Sequence, residues 1–353
     1  MKKGSLNFVA LKNINNVLLF FVLLFVLLYY GRVFLIPVVT SALLAMLLVP
    51  VCRRLETWGW KRGWAACSVV LCMLLLIVGV LYVLVNELIG LGRDIHVIAE
   101  RLRGMLDQAH AFVSEQFQVS KGQQKEYLHG QITNWANTAG KLFGDLVFSF
   151  VGTLGNLLVV TVYTILMLIY RGRMKRFILD VVSRYAGEPE VEQTKVIVEK
   201  ITLVASRYVG GIFLVVLILS VLYFIGLTII GVENALFFAI LAALINIIPY
   251  IGSVAGGAIV VLYTLITGDT LTLPLVVAVF FAGIQQLDSY VLTPKITGGK
   301  VRLGPLFTIM ALLLGGMLWG VAGMVLFIPI LGICKVAFDH VEPLKPYGYL
   351  IGD

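Results

Sequence analysis

Charge is scarce in this chain. Lys, Arg, Asp and Glu make up only 13 % of its 353 residues, whereas 60 % are hydrophobic and the mean hydropathy is +0.99. That balance excludes a water-solvated globular domain, and several runs reach the roughly 20 apolar residues needed to cross a bilayer core. Cysteine is scarce too. Cys52, Cys67, Cys72 and Cys334 all lie in or beside apolar runs, so no disulfide framework is implied. His96, His110 and His129 do not place two ligands one turn apart on a helix face, and neither a metal site nor a cofactor is predicted. The chain also lacks His-Glu-x-x-His, Gly-x-Ser-x-Gly and an intramembrane aspartate pair, which argues against a membrane-embedded hydrolase or any other enzyme. The net charge of +8 comes without basic residues interleaved with exposed aromatics, so nucleic acid is not a predicted partner.

What is present reads as an all-α, polytopic membrane protein of about six to eight spans, with the lipid bilayer as its solvent. Residues 1–90 hold three spans. The first, Val17 to Tyr30, follows Lys2, Lys3 and Lys12 without a small-x-small cleavage site and reads as a retained anchor. Gly31-Arg32 links it tightly to the second, Val33 to Val51, and the third runs from Trp64 to Gly90. Residues 91–145 are polar, with two amphipathic stretches (Ile95 to Phe112, Leu128 to Leu142) and a turn between Gln116 and Glu126, which predicts a projecting helical hairpin. Residues 146–170 form a fourth span. Residues 171–207 predict basic amphipathic helices along the headgroups, broken at Ala186 to Pro189. Assigning sides by alternation leaves all but seven of the 27 basic residues on the cytoplasmic side. The positive charge is therefore a topology signal, with both termini cytoplasmic and residues 91–145 outside.

Residues 208–353 do not reduce to simple spans. After the span Tyr208 to Ile230, residues 235–267 are apolar for 33 residues, too long for one helix unless steeply tilted. Asn246, Pro249, Tyr250, Gly252 and Ser253 interrupt this run, which should break into two short spans or a re-entrant hairpin. After the span Leu271 to Leu292, residues 303–334 form a second overlong run, interrupted at Gly315, Gly316, Gly320 and Gly323. Span plus interrupted segment, twice and in opposite orientations, outlines an inverted repeat whose broken helices mark a solute site. The competing reading is that these glycines only let helices pack closely.

Three stretches carry a family resemblance: INIIPYIGSVAGG from Ile245, QQLDSYVLTPKITGGKVRLGP from Gln285, and GGMLWGVAGMVLFIP from Gly315. With them the chain resembles the autoinducer-2 exporter family of bacterial permease-like membrane proteins over nearly its whole length. It departs at Tyr290, where the family usually has asparagine, and Ser289 stands where a small or amide residue is common. The resemblance implies a multi-pass protein of the bacterial inner membrane that exports small polar signals or metabolites, with cation/proton antiport in some relatives, and a homo-oligomer.

The expected site places Asn246, Pro249, Tyr250 and Gly252 on one side of a small polar solute and Gly315, Gly316 and Gly320 on the other. Gln285, Gln286 and Asp288 close it toward the cytoplasm, followed by Pro294 and Lys295. Amides suit a neutral polyhydroxylated solute because each offers a donor and an acceptor. For Asp288 three roles stand open: a gate residue paired with Lys295, a proton carrier, or a helix-end carboxylate in contact with water. Alternatives to the exporter are a sodium(cation)/proton antiporter and a non-transporting scaffold or sensor built on residues 91–145.

Overall fold

The computed structural model describes residues 8–93, 100–101, 104, 123–185, 187–249, 251–268, 270–297 and 303–352. The described residues are helical nearly throughout and contain no strand, apart from one isolated antiparallel bridge between Leu303 and Gly352. The helices are α1 (Phe8–Tyr30), α2 (Arg32–Thr57), α3 (Arg62–Arg93), α4 (Gln123–Tyr185) and α5 (Glu188–Ile230). There follow α6 (Ala235–Ile245), α7 (Ile251–Thr267), α8 (Thr272–Leu287), a π turn (Asp288–Leu292), α9 (Thr293–Thr297), α10 (Pro305–His340) and α11 (Lys345–Ile351). Six of the described helices are long and apolar enough to cross a membrane.

Two features of the polar middle differ from the sequence expectation. The stretch from Leu128 to Leu142, the fourth span and the first basic segment are one continuous helix, α4, of 63 residues. The glycines along it, Gly140, Gly144 and Gly172 among them, do not break it, because a glycine costs a helix interior only about 1 kcal/mol. The turn expected from Gln116 is already helical at Gln123, and its earlier part, like most of the stretch from Ile95 to Phe112, lies outside the described residues. Likewise Val191 to Arg207 and the following span form the single helix α5. The break at residues 186–189 stands between α4 and α5, with Pro189 in the first turn of α5, where its missing N–H costs no hydrogen bond.

The chain divides into two compact units. One comprises Met1–Ala66, Val159–Val209 and Lys300–Asp353. Its core joins Leu43 of α2, Ala205 of α5 and Leu318, Trp319 and Leu326 of α10. The Trp319 indole Nε1 donates to the carbonyl of Leu28 at 2.9 Å. That carbonyl lies in the last turn of α1, where helix carbonyls have no partner within the helix, so the indole caps α1. In the same unit Arg171 of α4 donates through Nη2 to both carboxylate oxygens of Glu56 at the end of α2, the longer bond being 2.7 Å. The other unit comprises Cys67–Leu158 and Gly210–Gly299. Its core gathers Leu84 and Leu88 of α3, Leu219, Tyr223 and Leu227 of α5, Phe237 and Phe238 of α6, Val260 of α7, and Val277 and Phe281 of α8. Tyr223 stacks on Phe281 with ring centroids 4.8 Å apart.

Candidate functional site

In the second unit the overlong run breaks after Ile245 and resumes at Ile251. The 11 residues of α6 and 17 of α7 are about 16 Å and 25 Å long, short of the roughly 30 Å of hydrocarbon. The two arms pack on each other with Phe238 against Tyr263 at 4.4 Å, which makes a helical hairpin of the pair. Its tip is held by short backbone bonds, Ile248 N–H to Ile245 O at 3.1 Å and Ile251 N–H to Pro249 O at 2.8 Å. Gly252 opens the returning arm because nothing larger fits: a Cβ there would lie 1.9 Å from the Ile245 carbonyl oxygen. Asn246 caps α6 and is half-buried, as is Pro249, while Tyr250 lies outside the described residues.

The second component grows out of Pro294. Proline has no N–H to give to the carbonyl four residues back, that of Tyr290, and its ring crowds that carbonyl, so the helix ahead of it must widen. The widening is the π turn Asp288–Leu292, closed by the Thr293 N–H bonding to Asp288 O, five residues back. A π turn accommodates one more residue than an α turn and so places residue i+5 beside residue i. Thr293 accordingly stands over Asp288 and its Oγ1 donates to Asp288 Oδ1 at 2.8 Å. Asn246 Nδ2 donates to the other oxygen, Oδ2, at 3.0 Å. Asp288 is only 6 % exposed.

This arrangement corrects two expectations. Asp288 is buried where α8 passes directly into the π turn rather than exposed at a free helix end, and among the described residues it forms no ion pair with Lys295, whose side chain is exposed. The extra residue of the π turn rotates everything beyond it by about 100° relative to an α-helix, which removes Lys295 from the face that Asp288 occupies. Gln285 is half-buried and donates to Ser289 Oγ at 3.3 Å, whereas Gln286 and Pro294 face outward. Thr293 is the polar residue that the sequence reading missed. Its signal was the proline that follows it.

Gly315, Gly316 and Gly320 belong to the first unit, where α10 is a helical hairpin of its own. Gly320 has φ 61° and ψ −143°, a conformation that only glycine adopts freely, and the chain reverses there. Residues 305–319 and 321–340 are the two arms. They approach until a Cβ on Gly315 would lie 2.4 Å from the Gly323 carbonyl oxygen, while Gly316 faces the Met324 side chain. Gly320 is thus the point of reversal, and Gly315 with Gly323 the close contact between the arms. At the base of this hairpin Gly304 N–H donates to Ile351 O at 2.9 Å, so α11 ties down its first arm.

Membrane-length helices, two overlong apolar runs each folded into a helical hairpin, and a buried carboxylate at the tip of one of them have the construction of a membrane transport protein. Similarity to known proteins agrees. The model of the AI-2E family transporter matches residues 18–342, and the chain belongs to that family. Three relatives share the description "Putative transport protein". One from Borreliella burgdorferi is 33 % identical over 42 % of this chain and 41 % of its own length. YrrI of Bacillus subtilis is 24 % identical over 86 % of both chains. YhhT of Escherichia coli K12 is 28 % identical over 42 % of both. The matched stretch thus spans less than half of the first and third relatives and most of YrrI.

Proposed function

We propose that this membrane transport protein exports a small polar, polyhydroxylated solute of the autoinducer-2 type, and that the solute passes the tip of the α6–α7 hairpin. The observation that carries the reading is the network of Asn246, Asp288 and Thr293. A carboxylate in a largely apolar unit is costly to bury without partners. Here one donor from the hairpin tip and one from the end of the π turn hold it, and its remaining lone pairs are what a solute hydroxyl would engage. The amide of Asn246 has a second N–H and a carbonyl oxygen to offer the same solute. Gln285, one helical turn before Asp288, extends the polar surface. Residues 1–90, the α4–α5 helices and residues 91–145 serve as scaffold, the termini are cytoplasmic in the inner membrane of a bacterium, and like subunits assemble.

The test is efflux of autoinducer-2 from loaded proteoliposomes against protein-free vesicles, with and without an imposed proton gradient. Protein-dependent efflux in both conditions supports the proposal. Efflux no faster than from empty vesicles overturns the choice of solute.

A further inference from the structure

In the first unit, Phe34 and Val38 of α2 and Tyr163, Met167, Tyr170 and Met174 of α4 line an open apolar groove of about 350 Å³. The α4 residues recur every three or four positions, so they form one stripe along the helix. From Tyr163 to Met174 that stripe runs about 16 Å, close to the ~15 Å that one leaflet contributes to the hydrocarbon core. Tyr170 and Met174 are nearly half exposed. The groove is thus the length and polarity of a single acyl chain.

The charges at its end separate a lipid from other occupants. Residues 171–176 read Arg-Gly-Arg-Met-Lys-Arg. Arg171 is paired with Glu56, and Lys175 with Glu199 at 2.6 Å. Arg173 is exposed and forms no ion pair among the described residues; its guanidinium lies over the Tyr170 ring, 5.1 Å from the centroid. One basic side chain in the run is therefore held at the groove mouth by an aromatic wall residue, with its charge uncompensated. Arg176 adds a second exposed cation one turn further on. A second protein copy would need an acidic group at this level, whereas a phospholipid phosphate supplies its negative charge together with the acyl chain.

We infer that this groove holds an anionic phospholipid, one acyl chain lying along Tyr163 to Met174 and the phosphate meeting Arg173. The site is separate from the Asn246 and Asp288 network and does not depend on which solute is transported.

The test is native mass spectrometry of the full-length protein in mild detergent, titrated in turn with phosphatidylglycerol and phosphatidylcholine. The wild type should retain its first phosphatidylglycerol about fivefold more strongly than phosphatidylcholine, the ratio equivalent to about 1 kcal/mol for one basic residue near a phosphate. Arg173→Gln, a surface change, should bring that ratio to about one. Met167→Trp should fill the groove and weaken retention of both lipids, whereas Leu217→Trp, on an exposed position of α5, should not. A wild-type ratio near one, or an unchanged ratio in Arg173→Gln, overturns the inference. So does a Met167→Trp protein that keeps its lipid but changes its subunit number, which would assign the groove to a second copy of the chain.

Discussion

Asn246 and Asp288 are 42 positions apart in sequence and joined by a 3.0 Å hydrogen bond between the side-chain amide and Oδ2. The bond fastens the tip of the α6–α7 hairpin to a π turn in the neighbouring helix. Both elements depend on a proline, Pro249 at the tip and Pro294 beyond the turn. Breaking the helix exposes backbone groups at membrane depth, which is tolerated only where protein or a cavity satisfies them.

Thr293→Val removes the donor to Asp288 Oδ1 and leaves the shape of the side chain nearly unchanged. Because Thr293 itself is exposed, the cost should be modest, about 1 kcal/mol. Thermal unfolding in detergent should show a lower midpoint for Thr293→Val and a near wild-type midpoint for Thr293→Ser. Equal midpoints for valine and wild type would mean that the bond contributes nothing.

Gly320→Ala tests the second hairpin. A Cβ there meets no neighbouring atom, so any destabilisation comes from the backbone conformation alone. That strain is about 1–3 kcal/mol for a residue other than glycine. Gly315→Ala meets the opposite obstacle, the Gly323 carbonyl, and should separate the arms. Cross-linking of paired cysteines near positions 312 and 326 should fall in Gly315→Ala and persist in Gly320→Ala.

Trp319→Phe keeps an aromatic ring for the edge contact with Phe327, whose centroid is 5.2 Å away, but loses the indole donor to Leu28. The carbonyl at the end of α1 is then left without its cap, at a cost of about 1–3 kcal/mol. A lowered unfolding midpoint is expected, with helix content unchanged by circular dichroism.

Glu56→Gln leaves Arg171 largely buried beside a neutral amide. Breaking a fully buried pair costs about 3–5 kcal/mol, and the partial exposure of both side chains, 17 % and 23 %, reduces that figure. The double variant Glu56→Gln, Arg171→Met should recover most of the loss, because the uncompensated charge is gone. A double variant no more stable than Glu56→Gln would contradict the pairing.

The sequence disclosed what composition and run length control. Membrane helices, the excess length of residues 235–267 and 303–334, and the break around Pro249 follow from hydropathy and from the chemistry of proline and glycine. Choosing Gly320 as the reversal among four nearby glycines was not legible, because all four share the same conformational freedom and only packing distinguishes them. The partner of Asp288 was equally hidden. Lys295, seven residues on, lies on the same face of an ideal helix, and the π turn that removes it is induced by Pro294 in a way that periodicity does not register. The continuity of α4 was masked by polarity: residues 123–145 look like a separate element only because their composition differs from the span that follows.

The most direct measurement compares wild type with Asn246→Leu, which removes donor and acceptor at similar volume, in autoinducer-2 efflux from proteoliposomes of matched protein content. If the solute passes the Asn246 and Asp288 network, losing one charge-assisted hydrogen bond should slow efflux about tenfold or more, with and without a proton gradient. Efflux from the Asn246→Leu vesicles at the wild-type rate would contradict the account and remove the α6–α7 hairpin from the solute path.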